Sequence, residues 1–199
     1  MTPAAPGRVR VIGGRWRGRR LPVPDLPGLR PTPDRVRETL FNWLAPVIEG
    51  AVCLDLFAGS GALGFEAASR GAGRVVMVEE NERAVAGIRA LAAEWGAAGL
   101  GAAGLEVHRA EALAWLRRAS GSFDIVFLDP PFQRGLLAPA CALLESRGLL
   151  VPGGHVYLES EAAVDEATLP AGWEVVRSGK AGEVRYHLAR RPTAPPAPA

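Results

Sequence analysis

The residues with the clearest chemistry form the stretch Asp129-Pro130-Pro131-Phe132, which follows the apolar run Ile125-Val126-Phe127-Leu128. An apolar run that stops at prolines predicts a buried strand ending in a loop. Two consecutive prolines fix the backbone and remove two N–H donors, so the turn presents bare carbonyl oxygens. A carboxylate, carbonyl oxygens and an aromatic ring suit an exocyclic amine on a planar base, whose N–H groups they accept and whose ring they stack on. The alternative is a plain strand-ending turn with Asp129 as a loop residue.

A glycine-rich loop follows another predicted buried strand, in the stretch from Asp55 to Gly64. It contains the pattern G-x-G-x-x-G between a strand and a helix, where glycines allow a tight turn and close approach of a ligand. Glu79, followed by Glu80, ends the next strand 18 residues after Gly61, in a position to accept hydrogen bonds from ribose hydroxyls. The pattern predicts a nucleoside cofactor rather than a purely structural turn. Asp55 favours S-adenosylmethionine over a dinucleotide, because a carboxylate before the glycines repels a pyrophosphate and pairs with a cationic group.

A third candidate position lies after the third strand of the predicted sheet, where Glu111 and Ala112 open a helix. The Glu111 carboxylate could accept a hydrogen bond from an adenine amino group, and the Ala112 N–H could reach the ring. The alternative is an acid that interacts with the positive end of the helix dipole. The residues alone leave these two interpretations open.

The chain has 199 residues and a net charge of +2, but the charge is unevenly distributed. Nine arginines and two acids give residues 1–37 a net charge of +7, which leaves −5 for the remainder. A basic end on a slightly acidic body is typical of a protein that binds nucleic acid. The alternative is a solvated charged end in a chain that prefers arginine. Trp16, among these arginines, either stacks on a base or covers the base of a hairpin.

The elements that must position these residues alternate between strands and helices, which predicts an α/β fold with a parallel sheet and right-handed crossovers. A hairpin at the end of the chain adds an antiparallel strand. Residues 8–33 are predicted to form a basic β-hairpin, from Val9–Ile12 and Arg15–Leu21, followed by a connector. A helix then opens at Thr32-Pro33-Asp34, with Thr32 as its N-cap and Pro33 at the first helical position. Residues 1–7 and 192–199 are predicted to be disordered.

The composition also restricts the class of protein. No apolar run approaches the length of a membrane helix, and residues 1–14 lack the apolar core of a signal peptide. The two cysteines, Cys53 and Cys141, are expected to be reduced core thiols of a cytoplasmic protein. No Cys/His cluster has the spacing of zinc ligands, so no metal is expected.

Several stretches together resemble the RsmD family, bacterial methyltransferases that modify guanine N2 in 16S ribosomal RNA. The matching stretches are R-V-I-G-G-R-W-R-G-R-R-L-P-V-P (10–24), G-L-R-P-T-P-D-R-V-R-E-T-L-F-N-W-L (28–44), C-L-D-L-F-A-G-S-G-A-L-G-F-E-A-A-S-R-G (53–71), V-E-E-N (78–81) and F-L-D-P-P-F (127–132). The resemblance implies a class I methyltransferase fold over residues 34–191, a Rossmann-like seven-stranded sheet with an antiparallel last strand. It also implies S-adenosylmethionine as the methyl donor, and a small N-terminal hairpin extension.

The resemblance and the motifs together predict three sets of site residues. The target base is expected at Asp129, Pro130, Pro131 and Phe132. The cofactor is expected at Asp55, Phe57, Ala58, Gly59, Ser60, Gly61, Glu79, Glu80, Glu111, Ala112 and Asp129. The RNA is expected at Arg10, Arg15, Trp16, Arg17, Arg19, Arg20, Arg30, Thr32, Arg35 and Arg37. At position 111 this chain has Glu where related enzymes usually have Asp or Asn.

The implied partner is 16S rRNA within an assembled or partly assembled 30S subunit, with ribosomal proteins helping to present the RNA to a monomeric enzyme. A D-P-P-F turn also suits methyl transfer to DNA bases or to protein glutamine, since each target is a planar amide-like nitrogen. The arginine-rich end favours a nucleic acid. A nucleotide-dependent oxidoreductase leaves Asp55 and the D-P-P-F turn unexplained, and a non-catalytic RNA-binding factor needs no methyl donor.

Overall fold

The structure is a computed structural model, and it describes residues 7–25, 32–96, 104–131, 134–160, 169–182 and 184–193. Two predicted site residues, Arg30 and Phe132, lie outside the described residues. The same holds for most of the two segments predicted to be disordered, namely residues 1–6 and 194–199.

The N-terminal extension is a small antiparallel pair of strands, β1 (Arg8–Arg10) and β2 (Arg20–Pro22), in which Val9 pairs with Leu21. The pairing was predicted, but the predicted length of the returning strand was wrong. Residues 13–18 form bends and turns instead of strand. The physical reason is that the N–H groups of Gly13, Arg15 and Trp16 donate to residues of the main domain rather than to the partner strand.

The main sheet has seven strands, as the family resemblance implied, and their order is β5-β4-β3-β6-β7-β9-β8. The strands are β3 (Val52–Asp55), β4 (Arg74–Glu79), β5 (Leu105–Arg109), β6 (Phe123–Leu128), β7 (Leu150–Ser160), β8 (Glu174–Ala181) and β9 (Val184–Arg190). Strands β3 to β7 are parallel, whereas β9 runs antiparallel to both β7 and β8. The strand order reverses direction between β3 and β6, and ligands of such sheets bind where these two strands end.

Five helices connect or cover these strands in the described part of the chain. They are α1 (Asp34–Leu44), α2 (Ala62–Ser69), α3 (Glu82–Glu94), α4 (Ala112–Leu116) and α5 (Leu137–Ser146). The prediction for the start of α1 was wrong by one position. Pro33 is the N-cap, and none of the described side chains caps the helix; the Thr32 hydroxyl instead donates a hydrogen bond to Asp129.

Two apolar cores lie on opposite faces of the sheet. One joins α1, α2 and α3 to the hairpin, and it contains Phe41, Phe65 and Trp95. The other lies under α4 and α5, around Leu116 and Leu144. Both cysteines are buried within these cores and neither forms a disulfide. None of the described helices is long and apolar enough to cross a membrane.

The hairpin loop is fixed to helix α2 by backbone hydrogen bonds. The Glu66 carboxylate accepts from the N–H groups of Ile12 and Gly13, at 2.7 and 2.9 Å. Ser69 accepts from the Trp16 N–H through its hydroxyl at 2.9 Å. A Cβ atom on Gly14, where φ is +75°, would lie 1.9 Å from the carbonyl oxygen of Ser69, so only glycine fits this approach. The extension is therefore a packed part of the domain.

Candidate active site

A pocket of about 740 Å³ opens where β3, β4 and β6 end, and most of the predicted site residues line it. This volume lies within the range of roughly 300–1,000 Å³ that is usual for small-molecule sites. Its lining includes the loop after β3, the two acids after β4, the start of α4 and the turn after β6. The lining residues that were predicted are Asp55, Phe57, Ala58, Gly59, Ser60, Glu79, Glu80, Glu111, Ala112, Thr32, Asp129, Pro130 and Pro131. Of the predicted cofactor residues, only Gly61 is not in this lining.

The glycine loop takes a conformation that its glycines make possible. Gly59 and Gly61 have φ values of 53° and 81°, in the left-handed region that favours glycine. The buried Asp55 carboxylate accepts a hydrogen bond from the Gly64 N–H at 2.9 Å. Burial raises the pKa of Asp55 to about 7; the Gly64 N–H opposes this shift, and the charge of Glu79 adds to it. A cation bound in the pocket would therefore favour the ionised form of Asp55.

Glu79, at the end of the neighbouring strand β4, stabilises the glycine loop through hydrogen bonds. One carboxylate oxygen accepts from the Gly59 N–H at 2.8 Å, and the other accepts from the Asn81 N–H at 2.7 Å. Each oxygen has a further lone pair, so the carboxylate can still accept from ligand hydroxyls in the pocket. Glu80 is exposed at the rim, where its carboxylate lies 3.9 Å from the guanidinium of Arg134.

Glu111 is the N-cap of α4. Its two carboxylate oxygens accept from the N–H groups of Leu113 and Ala114, at 2.9 and 2.7 Å. This is the helix-terminal role that the sequence left open as an alternative, and it satisfies two otherwise unpaired backbone donors. Ala112 is buried in the pocket wall beside it.

Asp129 is the first residue after β6, and its carboxylate accepts from the Thr32 hydroxyl at 3.2 Å. Thr32 is almost fully buried, and its carbonyl oxygen accepts from the Arg37 guanidinium Nε at 3.2 Å. Burial raises the pKa of Asp129 well above its usual range, and the charge of Glu159 raises it further. The R-P-T-P-D stretch therefore contributes to the pocket through Thr32, which contacts Asp129 directly.

Glu159 is a pocket residue that the sequence reasoning missed. It lies on β7, which neighbours β6, and only 4% of its surface is exposed. The Tyr157 hydroxyl lies 2.6 Å from its carboxylate. The sequence contained one indication of this site: Glu159 is a charged residue at the end of an apolar run in a predicted central strand. Charged residues in such positions are rarely buried without a role.

Of the ten predicted RNA-binding residues, Arg30 lies outside the described residues and Thr32 is buried in the pocket lining, and the other eight divide into two groups. The side chains of Arg10, Arg15, Arg17, Arg19, Arg20 and Arg35 are exposed. Arg37 and Trp16 are buried, with Trp16 packed 6.0 Å from the Phe65 ring and 5.4 Å from the Trp95 ring. For these two residues the interpretation as RNA contacts was wrong, because neither presents a surface to a partner.

The buried Arg37 belongs to an ionic cluster that the sequence reasoning also missed. Its guanidinium lies 2.6 Å from Asp34 and 3.6 Å from the fully buried Glu66, which Arg70 contacts at 2.7 Å. Desolvation lowers the pKa of Arg37, and the charges of Glu66 and Asp34 oppose this effect. The spacing of the residues indicates this burial, because Arg37 shares one face of α1 with the apolar residues Leu40, Phe41 and Leu44.

The strand order, the antiparallel β9 and the pocket beyond the glycine loop define the class I fold of S-adenosylmethionine-dependent methyltransferases. The solved structure of yhhF from Escherichia coli has the same fold, with a TM-score of 0.84 and 45% identity over 94% of this chain and 100% of that one. An RNA methyltransferase from Salinibacter ruber in complex with S-adenosyl-L-homocysteine shares the fold at a TM-score of 0.61 and 24% identity, over 85% of this chain and 98% of that one.

Within this class, the chain belongs to the RsmD family. The family described as conserved hypothetical protein 95 matches residues 9–190. Ribosomal RNA small subunit methyltransferase D of Escherichia coli (strain K12) is 51% identical over 187 residues, which cover 93% of this chain and 91% of that protein. The family and the fold that the sequence predicted are therefore confirmed.

Proposed function

We propose that this protein transfers a methyl group from S-adenosylmethionine to the exocyclic N2 of a guanine in 16S rRNA. The observation that carries the proposal is the place of Asp129, an acceptor at the inner end of a nucleoside-sized pocket beside two prolines. The substrate is an assembled or partly assembled 30S subunit in the cytoplasm. The name of the Escherichia coli relative, an rRNA small subunit methyltransferase, supports an rRNA substrate.

The pocket has the chemistry that S-adenosylmethionine requires. Asp55 suits the cationic amino-acid end, and Glu79 suits the ribose hydroxyls. Val78, Ala110 and Ala112 offer an apolar wall for the adenine. When bound, S-adenosylmethionine supplies an electrophilic methyl group on a sulfonium. The negative charge shared by Asp129 and Glu159 at the other end of the pocket favours that positive charge.

The residues after β6 act on the amine. The N2 lone pair of guanine is delocalised into the ring, so the amine is a weak nucleophile. Asp129 and the Pro130 carbonyl accept its two N–H groups, which aims the lone pair at the methyl group. Phe132 stacks on the guanine base after this base has flipped out of the RNA helix. Positioning of the two reactants supplies much of the rate.

Cofactor binding is expected to depend on pH through Asp55. The folded-state pKa of about 7 means that the carboxyl is mostly protonated below that value. A bound ammonium group stabilises the ionised form, so binding releases a proton at low pH and becomes tighter as pH rises through about 7. Below this pH the affinity for S-adenosylhomocysteine should fall by up to about tenfold per pH unit.

Titration calorimetry with S-adenosylhomocysteine, in buffers of different ionisation enthalpy, measures both the affinity and the released proton. Asp55→Asn should bind more weakly and show no such slope, because it carries no titrating carboxyl. The same pH slope in wild type and Asp55→Asn would assign the linkage to another group.

RNA binding is expected to depend on the exposed arginines of the basic N-terminal segment (residues 8–37). The Arg10–Asp34 ion pair, at 2.7 Å, joins the hairpin to the start of α1, beside the pocket residues Thr32 and Pro33. Arg17→Ala with Arg20→Ala should reduce the slope of log K against log salt by about 0.7–0.9 for each phosphate that the variant no longer neutralises. Filter binding at several salt concentrations measures this slope.

A matched control replaces Arg117 and Arg118 by alanine, because these residues are also exposed but follow α4 on the other face of the sheet from the hairpin. The control should leave the slope unchanged. Equal slopes for wild type and the Arg17/Arg20 variant would remove the hairpin from the RNA-binding surface.

The direct test of the function is a methyl-transfer assay with labelled S-adenosylmethionine. The substrates are 16S RNA alone, 30S particles and DNA, with nucleoside analysis of the product. Label in N2-methylguanosine is the expected result, with 30S particles the better substrate. Label in DNA, or in a protein glutamine of the particles, would support methyl transfer to an amine but contradict the proposed rRNA substrate.

A further inference from the structure

Two carboxyl groups meet at the inner end of the pocket, on adjacent parallel strands. In the register of β6 and β7, Leu128 lies opposite Leu158, so the next residues along the two strands, Asp129 and Glu159, are neighbours. Their side chains are hydrogen-bonded to each other, which requires a proton on one of them. Both line the pocket.

Among the described residues, no cation neutralises this pair, since neither carboxyl forms an ion pair with an arginine, lysine or histidine there. The other titratable groups that face the pair are Tyr157 on β7, Tyr186 opposite Glu159 on β9, and Asp55 at the end of β3. None of the three supplies positive charge. A buried and a partly buried carboxyl in this setting cannot both be ionised at low cost.

From this geometry we infer that Asp129 and Glu159 share one proton, and that Glu159 is a positioning residue whose carboxylate accepts it as a hydrogen bond from Asp129. The Tyr157 hydroxyl donates to Glu159 at 2.6 Å, and a donor to a carboxyl group favours its ionised form. Thr32 donates to Asp129, so Thr32 and Glu159 together hold the Asp129 carboxyl in one orientation. Burial and the charge of Glu159 raise the pKa of Asp129 well above its usual range, whereas hydrogen bonds from Tyr157, Thr32 and Asp129 oppose the effect of burial on the pKa of Glu159.

The arrangement has a consequence for the reaction proposed above, on which this step rests. As the new N–C bond forms, the C–S bond breaks and leaves its electron pair on sulfur. The nitrogen then carries a positive charge, which it loses by transferring one proton to Asp129 as the shared proton moves from Asp129 to Glu159. Asp129 can accept because the Glu159 carboxylate takes the shared proton, and the pair later releases one proton to water.

Infrared spectroscopy of the protein without RNA tests the shared proton directly. At about pH 8, Asp55, with its pKa of about 7, is mostly ionised, so it contributes little to the signal. The difference spectrum between wild type and Glu159→Gln should contain the C=O band of a protonated carboxyl, present only in wild type. Tyr157→Phe should shift this band, because it removes the hydrogen bond to Glu159. A wild-type spectrum with no such band would overturn the proposal.

Single-turnover methyl transfer separates positioning from a purely structural role. Glu159→Gln keeps a hydrogen-bond partner for Asp129 and should stay within about tenfold of the wild-type rate, whereas Glu159→Ala should lose about 10²-fold. At alkaline pH the wild-type rate should fall as the shared proton is lost, and the ratio of the Glu159→Gln rate to the wild-type rate should rise. A constant ratio across pH, or equal rates for the two variants, would contradict the inference.

The two assays also distinguish this inference from the proposed function. A protonated-carboxyl band in a protein that methylates no RNA would support the carboxyl pair and overturn the function. Methylated guanine without the band would do the reverse.

Discussion

Replacement of Asp129 by alanine is expected to lower the rate of methyl transfer by about 10²–10³-fold, the usual cost of removing one polar group that binds the reacting atoms. The carboxylate is positioned for this role by Thr32 and lies in the same pocket as the glycine loop. Its removal leaves the amine with one acceptor fewer and no immediate proton acceptor. The affinity for S-adenosylhomocysteine should change little, because the groups proposed to hold its amino-acid end and ribose lie on other strands.

Single-turnover assays with saturating enzyme measure this effect, with calorimetry as the test of cofactor binding. Asp124 offers a matched control, because it lies near the other end of β6 and its carboxylate accepts from the Val52 N–H at 2.8 Å. Asp124→Ala should therefore cost some stability and no more than a small part of the rate. Near-wild-type turnover by a folded Asp129→Ala enzyme would exclude Asp129 from the reaction.

Replacement of Glu66 by alanine is expected to destabilise the fold by about 3–5 kcal/mol, the usual cost of breaking a buried ion pair by removing one partner. Glu66 is fully buried between Arg37 and Arg70, and it also accepts from the N–H groups of Ile12 and Gly13. Without it, a buried guanidinium keeps only Asp34 as an ionic partner among the described residues, and two backbone donors lose their acceptor.

Urea unfolding monitored by tryptophan fluorescence measures this free energy, and the midpoint should fall accordingly. The surface pair Arg74–Glu106 is a matched control, since both side chains are about one-third exposed. Glu106→Ala should cost no more than about 1 kcal/mol. The double variant Arg37→Met with Glu66→Leu should be less destabilised than Glu66→Ala, because neither member of the buried pair is then charged. A Glu66→Ala protein as stable as Glu106→Ala would show that the cluster contributes little.

The ionic cluster also connects the hairpin to the reaction site. Glu66 contacts Arg37, Arg37 donates to the Thr32 carbonyl, and the Thr32 hydroxyl donates to Asp129. A single chain of contacts thus runs from the hairpin loop to the proposed base-binding carboxylate. The basic segment of residues 8–37 therefore contains arginines of two kinds, exposed ones and a buried anchor.

The sequence by itself determined the features that depend on local chemistry. The hydrophobic periodicity predicted the strands, and the glycines and prolines predicted the loop after β3 and the turn after β6. Each of these features depends on the backbone conformations that neighbouring residues allow. The alternation of strands and helices predicted the parallel sheet, and a parallel sheet brings Asp55, Glu79 and Asp129 to one edge. These residues were found without the structure because their place follows from the end of a strand.

Only the tertiary structure decided which charged side chains face solvent and which face each other. Arg37 and Trp16 belong to a basic stretch, yet α2 packs against both, and burial depends on that distant helix. Glu159 meets Asp129 because β7 adopts one particular register beside β6, which the sequence of neither strand specifies alone. Packing between distant elements also removes water from these groups, and desolvation is what turns an ordinary acid into a proton-sharing partner.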